Sequence, residues 1–162
     1  MIKMSKKNYN VQFSLGTEKT IAKAIANNAP VSLKYSTEIS REIKGKRVAW
    51  AIQFLKAVAE KTRHLPLRRY NKEVPHRKGA AISHTKTGRY PKRCAMKWVE
   101  LLEQLKANAD YKGLNAENLI IIHAFASKGV GRTSHQKQGK ISGKTHVKKA
   151  AHLEVIAREN AA

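Results

Sequence analysis

Acid is scarce in this sequence. Eleven Asp and Glu stand against 33 Lys and Arg, a formal net charge of +22. The carboxylates are scattered, and the basic stretches lack the cluster that a two-metal nuclease needs to hold its ions. Cysteine is nearly absent: Cys94 alone excludes an internal disulfide and makes a reducing compartment the default. One thiol cannot complete a structural zinc site, and the seven histidines (His64, His76, His84, His123, His135, His146 and His152) show no ligand spacing. No Gly-rich phosphate loop of either common type occurs. No apolar run approaches the ~20 residues that span a bilayer, and the first residues lack a signal-peptide core. These absences lead us to expect a soluble, cytoplasmic protein that is not an enzyme and holds neither metal nor cofactor.

What is present is charge of one sign. A chain of 162 residues fits a single domain, 1–162, with a modest core. A pI near 10.4 is that of a nucleic-acid-binding domain. The positive charge lies on loops and one hairpin, not along a single amphipathic helix, which argues against a membrane-surface role.

The most informative stretch runs from Asn118 to Glu159. Leu119 to Ala126 is an apolar, β-branched run of strand length. Leu153 to Ala157 alternates Leu153 and Val155 with His152 and Glu154, the pattern of a half-buried strand. Between them, Gly129, Gly131, Gly139 and Gly143 punctuate a segment with almost no core-forming side chain. Lys128, Arg132, Lys137, Lys140, Lys144, Lys148 and Lys149 give it seven positive charges and no acid. Such charges repel one another in water, and a polyanion removes that cost by neutralising them and releasing its counterions. Residues 127–150 are therefore read as an extended basic β-hairpin made for nucleic acid. At roughly 3.3 Å per residue, each arm reaches ~35 Å from the sheet. His123, inside a strand, is read as packed or hydrogen-bonded.

Three amphipathic helices are predicted upstream. The first spans Leu33 to Lys44, with Ser32 as N-cap, Ile39 and Ile43 inward and Gly45 as its stop. The second spans Lys46 to Arg63, where Val48, Ala51, Ile52, Leu55, Val58 and Ala59 recur at helical spacing. Trp50 and Phe54 flank that stripe and are read as core rather than as a base-stacking platform. The third opens at Pro91, taken as its first helical position, and ends near Lys112, with Ala95, Trp98, Leu102, Leu105 and Ala109 inward. Gly113 and Leu114 resemble a Schellman ending. Val11 to Asn28 admits two readings: Val11, Phe13 and Leu15 alternate, whereas Thr20 to Ala26 has a weakly helical pattern. Met1 to Asn10 is polar and basic, to be ordered by a partner. The expected fold is α+β: three helices packed on a small antiparallel sheet with a long extended β-hairpin.

Leu65 to Lys92 differs in composition. From Lys61 to Lys97, twelve Lys and Arg face the single acid Glu73. Pro66, Pro75, Gly79 and Gly88 prevent a long helix. Tyr70, His76, His84 and Tyr90 are interleaved with the cations. Cations fix phosphates and flat rings stack on bases, the mixture that irregular or single-stranded RNA requires. Candidate RNA-binding residues are thus Arg68, Arg69, Tyr70, His76, Arg77, Lys78, Arg89, Lys92 and Arg93 in this region. On the hairpin they are Lys128, Arg132, His135, Lys137, Lys140, Lys144, His146, Lys148 and Lys149.

Several stretches, in order, resemble one family. They are Glu42-Ile43-Lys44-Gly45-Lys46, Leu65-Pro66-Leu67-Arg68-Arg69-Tyr70-Asn71, Gly88-Arg89-Tyr90-Pro91-Lys92, and Asn108-Ala109-Asp110-Tyr111-Lys112-Gly113-Leu114. Ile121-Ile122-His123-Ala124 and His152-Leu153-Glu154-Val155 then flank the hairpin. From about Val11 to Glu159 the chain is similar to the large-subunit ribosomal protein L-twenty-two family, L-seventeen in eukaryotes, in its archaeal or eukaryotic form. The resemblance implies a small α+β domain bound to large-subunit ribosomal RNA among neighbouring large-subunit ribosomal proteins. It also implies a hairpin whose tip lines the exit tunnel beside the nascent peptide. The family's tip usually carries Pro-Arg-Ala…Gly-Arg-Ala, and this chain offers only Gly131-Arg132-Thr133-Ser134. The alternative is a DNA-architectural protein with a basic β-arm. Such arms commonly carry an apolar wedge at the tip, often Pro; here only Ile141 is large and apolar there, and no Pro follows Pro91.

Overall fold

The computed structural model describes residues 9–11, 17–78, 84–135, 137, 139, 140 and 143–160. Most of Met1 to Asn10, Phe13 and Leu15, Gly79, and Ile141 lie outside the described residues. After a 3-10 turn at Thr17–Thr20 the chain runs β1 (Ile21–Ala29), α1 (Leu33–Ile43), α2 (Val48–Ala59), β2 (Leu65–Pro66), β3 (Gly88–Arg89) and α3 (Lys92–Tyr111). It continues through β4 (Leu119–Lys128), β5 (Arg132–His135), β6 (Thr145–Lys148) and β7 (Ala151–Glu159). The fold is α+β.

The main sheet has three antiparallel strands in the order β1-β7-β4. β1 corrects the weakly helical reading of Thr20 to Ala26. Alanine favours helix only slightly, and pairing decides otherwise: Ile21 to Ala26 run beside Arg158 to Leu153 of β7. Ala22 and Ala24 are buried in the core beneath α3, and their small size suits close packing of a helix on a strand. The outer edge of β1 is held by α3, whose Asn108 Nδ2 donates to Lys23 O at 2.9 Å and Lys112 Nζ to Ile21 O at 3.0 Å.

β7 is the central strand, so the half-buried reading of Leu153 to Ala157 is also corrected. Leu153, Val155 and Ala157 join the core, and Glu154 and Ile156 on the other face are buried as well. In β4 the register against β7 shifts between Ile121 and His123. The extra residue puts Leu119 and Ile121 on the core face together with Ala124 and Ala126, and turns His123 toward Glu154. Glu154 Oε1 lies 3.0 Å from His123 Nε2, and its Oε2 accepts the Asn10 N–H at 3.3 Å. His123 is therefore hydrogen-bonded, as expected.

The helices cover one face as a single core, with Ile39, Ile43, Leu55, Trp98, Leu102 and Leu105 fully buried. Their ends differ from the sequence reading for identifiable reasons. α2 begins at Val48 because the preceding turn pairs with the outer edge of β4. Gly45 N–H donates to Ile121 O at 2.8 Å, and Ile121 N–H to Lys46 O at 3.0 Å. Gly45 has φ +79°, which an L side chain rarely adopts. α2 ends at Ala59, after which Lys61 turns left-handed at φ +66°. Pro91 is the N-cap of α3 rather than its first helical residue, its carbonyl accepting from Ala95 N–H at 2.9 Å. Ser32 does stand at the N-cap of α1, but its side chain makes no capping bond. The Schellman ending is present: Leu114 N–H returns to Ala109 O and Gly113 N–H to Asp110 O. Phe54 is buried and Trp50 half-buried, their rings stacked 5.3 Å apart.

Cys94 sits where α3 meets α1, buried, with Sγ 3.2 Å from Ser36 Oγ. Burial pushes its thiol up to about 11, the Ser36 contact opposing slightly. The thiolate is the nucleophile, so Cys94 should be inert in the folded protein. Iodoacetamide at pH 8 should leave it unmodified until denaturant is added, as read by mass spectrometry; rapid labelling of the native protein would contradict this packing.

Candidate nucleic-acid interface

The basic loop between α2 and α3 is built on two carboxylates of α1. Glu38 and Glu42 are one helical turn apart beside the inward Ile39 and Ile43, and both are buried. Glu38 Oε1 accepts the backbone N–H groups of Arg69 (2.8 Å) and Tyr70 (3.3 Å), while Oε2 pairs with Arg41 at 3.2 Å. Glu42 Oε1 lies 2.9 Å from Arg68 Nη2, an ion pair without good hydrogen-bond direction. Leu65 and Leu67 plug the core beneath.

The loop is closed by its own short ladder. Leu65 pairs with Arg89 and Pro66 with Gly88. Leu67 N–H donates to Thr87 O at 3.0 Å, Thr87 Oγ1 returns to Leu67 O at 3.1 Å, and Arg77 N–H reaches Lys86 O at 2.8 Å. Gly88 is required here. A Cβ would stand 2.3 Å from His64 Cδ2 and 2.8 Å from Leu65 O.

The expected RNA-binding residues of the loop divide into two groups. Arg68 is tied to Glu42, and Arg77 donates through Nε to Gly88 O at 3.0 Å with its guanidinium 5.2 Å from the Tyr90 ring centre. Tyr70 is half-buried, flanked by Lys34 Nζ at 5.4 Å and the Arg69 guanidinium at 5.8 Å. His76, Lys78, Arg89, Lys92 and Arg93 are exposed.

The ribbon carries the remaining candidates. β5 and β6 pair from Arg132↔Lys148 to His135↔Thr145, and every side chain of both is exposed. Lys128, Lys137, Lys140, Lys144 and Lys149 are exposed too, beside Arg132, His135, His146 and Lys148 of the ladder. Gly131 to Ser134 therefore lie at the start of the outgoing arm, not at the tip. The ribbon leaves the sheet through a tight root. Gly129 N–H donates to Ala150 O at 3.0 Å, and Asn28 Oδ1 accepts the Val130 N–H at 3.1 Å. A Cβ on Gly129 would lie 2.8 Å from that Asn28 oxygen. Asn28, itself left-handed at φ +50°, also donates its N–H to His152 Nδ1 at 3.3 Å.

Asn28 and Glu38 were not foreseen. Nothing in one sequence marks Asn28. Glu38 and Glu42, however, are two of very few acids, at i and i+4 beside an apolar stripe, which is an odd position for solvated charge. Among the described residues no three His, Cys, Asp or Glu side chains converge as a metal site would require. No helix among them is long and apolar enough to cross a membrane.

Burial raises the Glu42 carboxyl above its usual range, while Arg68 pulls it back. A carboxyl raised in the folded state costs stability as pH rises through its range. Arg68→Ala should therefore cost about 1–2 kcal/mol at neutral pH, less than for a fully buried pair because Arg68 is 45% exposed. The cost should shrink as Glu42 is protonated at acid pH. Urea unfolding at pH 7 and pH 4 checks this, and an equal cost at both would refute it.

The chain matches the family "Ribosomal protein L22p/L17e" over residues 24–158. The large ribosomal subunit protein uL22 of Archaeoglobus fulgidus is 41% identical over 120 residues, 74% of this chain and 76% of its own length. The uL22 of Thermofilum pendens is 39% identical over 151 residues, 93% and 95% of the two chains. That of Methanocaldococcus jannaschii is 36% identical over 159 residues, 98% and 99%. The match thus runs from within β1 to near the end of β7, including the α1–α2 turn, the basic loop and the ribbon, and the chain belongs to the ribosomal protein L22p/L17e family.

Proposed function

We propose that the protein, as a structural constituent of the large ribosomal subunit, binds ribosomal RNA with its basic loop and ribbon. The ribbon, 127–150, extends toward the nascent-peptide exit tunnel, where its tip meets the nascent peptide. Neighbouring large-subunit proteins complete its surroundings in the cytoplasmic ribosome. The observation that carries this reading is the β5–β6 ladder. It stands outside the core with its side chains exposed, in a segment with seven cations and no acid. Such a ribbon adds little apolar burial and much self-repulsion, so its energetic partner is a polyanion. Relatives named for the large ribosomal subunit leave the DNA-arm alternative without a supporting observation.

Phosphate contact predicts a steep loss of affinity with salt. Arg69→Ala with Arg93→Ala removes two guanidinium groups without touching the Arg68–Glu42 pair. Each lost phosphate contact should lower the slope of log K against log salt by about 1. Filter binding to a large-subunit ribosomal RNA fragment at several salt concentrations measures it. An unchanged slope would mean that these residues face water.

The ribbon separates anchoring from function. Replacing Gly129–Lys148 by Asn-Gly leaves a short connection, Asn-Gly-Lys149-Ala150, between the paired Lys128 and Ala151. Among the described residues, none of the core cluster lies in the removed segment, so the remainder should fold and still enter subunits. Crosslinks between this protein and nascent chains should then vanish. Exclusion of the shortened protein from subunits would instead make the ribbon the main anchor.

A further inference from the structure

Beside the basic loop lies a hollow of about 570 Å³ whose walls differ from the rest of the surface. Tyr35, Tyr90, Pro75 and Pro91 give it flat faces, and Lys61, Arg77 and Arg89 give it charge. No acid lines it among the described residues. A hollow of similar size, about 610 Å³, beside the end of α3 is lined by Glu103, Asp110 and Glu117 with Lys106. The two are alike in volume and opposite in chemistry, so the first is not merely a dent in a basic protein.

One wall, Arg77 over Tyr90, is held by contacts within the loop. The Arg77 main chain is bonded to Lys86 O, its Nε to Gly88 O, and its guanidinium covers the Tyr90 ring at 5.2 Å. Gly88 is locked by the His64 ring and Leu65 O. A second, smaller hollow of about 330 Å³ adjoins the first across Tyr35 and Pro91, and there Lys92 and Arg93 supply the charge. Cations therefore continue along the rim from Lys61 to Arg93.

We propose that this hollow is a socket for one extruded nucleotide of single-stranded or bulged RNA. The base lies among the tyrosine and proline faces, and the flanking phosphates lie against Arg89 and the neighbouring cations. Paired RNA keeps its base faces stacked inside the helix and shows a concave site only backbone and base edges, so flat walls gain no stacking from it. An unpaired base can use both the flat faces and the guanidinium planes. The volume is that of a small-ligand site, roughly 300–1,000 Å³. This assignment rests on the RNA-binding reading above and narrows it to a location and a ligand.

The test uses the full chain and two fluorescent RNA hairpins that differ by one unpaired nucleotide in the stem. Anisotropy at fixed salt gives the affinity for each. The wild-type protein should prefer the bulged hairpin by roughly 5- to 150-fold, the range expected for stacking one base. Tyr90→Ala should abolish the preference, and Tyr90→Phe should retain it. Arg89→Gln, at an exposed side chain, should reduce the preference even if Tyr90→Ala proves unfolded. Equal affinity of the wild-type protein for both hairpins overturns the socket while leaving phosphate binding intact. So does a preference that survives both Tyr90→Ala and Arg89→Gln. Absence of salt-sensitive binding to either hairpin overturns the RNA-binding reading itself.

Discussion

The carboxylate of Glu38 is the contact on which the basic loop depends. Buried beneath that loop, it accepts two consecutive backbone N–H groups, those of Arg69 and Tyr70, and pairs with Arg41. A carboxylate fixed by N–H donors is among the stronger local interactions, since hydrogen bonds to charged groups contribute about 1.5–3 kcal/mol. Here it does two things at once. It gives the turn at Arg68–Tyr70 its conformation, and it sets one negative charge under a cluster of positive ones. Glu42, one turn on, repeats the arrangement with the Arg68 side chain. In a chain with a net charge of +22, these acids work as internal struts.

The same economy governs the sheet. A three-stranded sheet has two open edges, and each is a hazard unless covered. The β1 edge is taken by α3 through Asn108 and Lys112, and the β4 edge by the α1–α2 turn through Gly45 and Lys46. With both edges occupied, the ribbon is the continuation of β4 and β7 past the end of the core. Asn28 clamps its root by accepting the Val130 N–H, and Gly129 permits the approach. The clamp comes from β1, so the direction in which the ribbon leaves is set by the domain and not by the ribbon's own exposed side chains.

Much of this was legible in the sequence, and what was not has physical causes. The stripes of α2 and α3, the Schellman ending and the two ribbon arms follow from periodicity and capping, which are local. β1 was missed because Ala22, Ala24 and Ala26 carry no strand preference of their own, and only β7 beside them and α3 above make them strand. Glu154 looked solvent-facing because alternation reports one face, whereas a central strand is covered on both. Its burial is made tolerable by His123 and the Asn10 N–H, partners 31 and 144 residues away in the chain. The candidate cations were legible as a population. Their division into tied and outward groups was not, since it depends on Glu42 and Gly88 O meeting Arg68 and Arg77 across the fold.

That division bears on how such a basic surface can be selective. Cations free in water bind phosphate anywhere, and their contribution is screened within about 8–10 Å at ordinary ionic strength. Arg77 differs: its Nε bond to Gly88 O and its place over Tyr90 remove most of its rotational freedom before any partner binds. A side chain ordered in advance loses little further entropy on binding and presents its donors in one direction. The Lys and Arg of the β5–β6 ladder are exposed along its whole length, which suits an irregular, extended contact but not a shaped one. Under the proposed RNA-binding role, the loop, held by Glu38 and its own ladder, is the part suited to a particular RNA shape, and the ribbon the part suited to an irregular path.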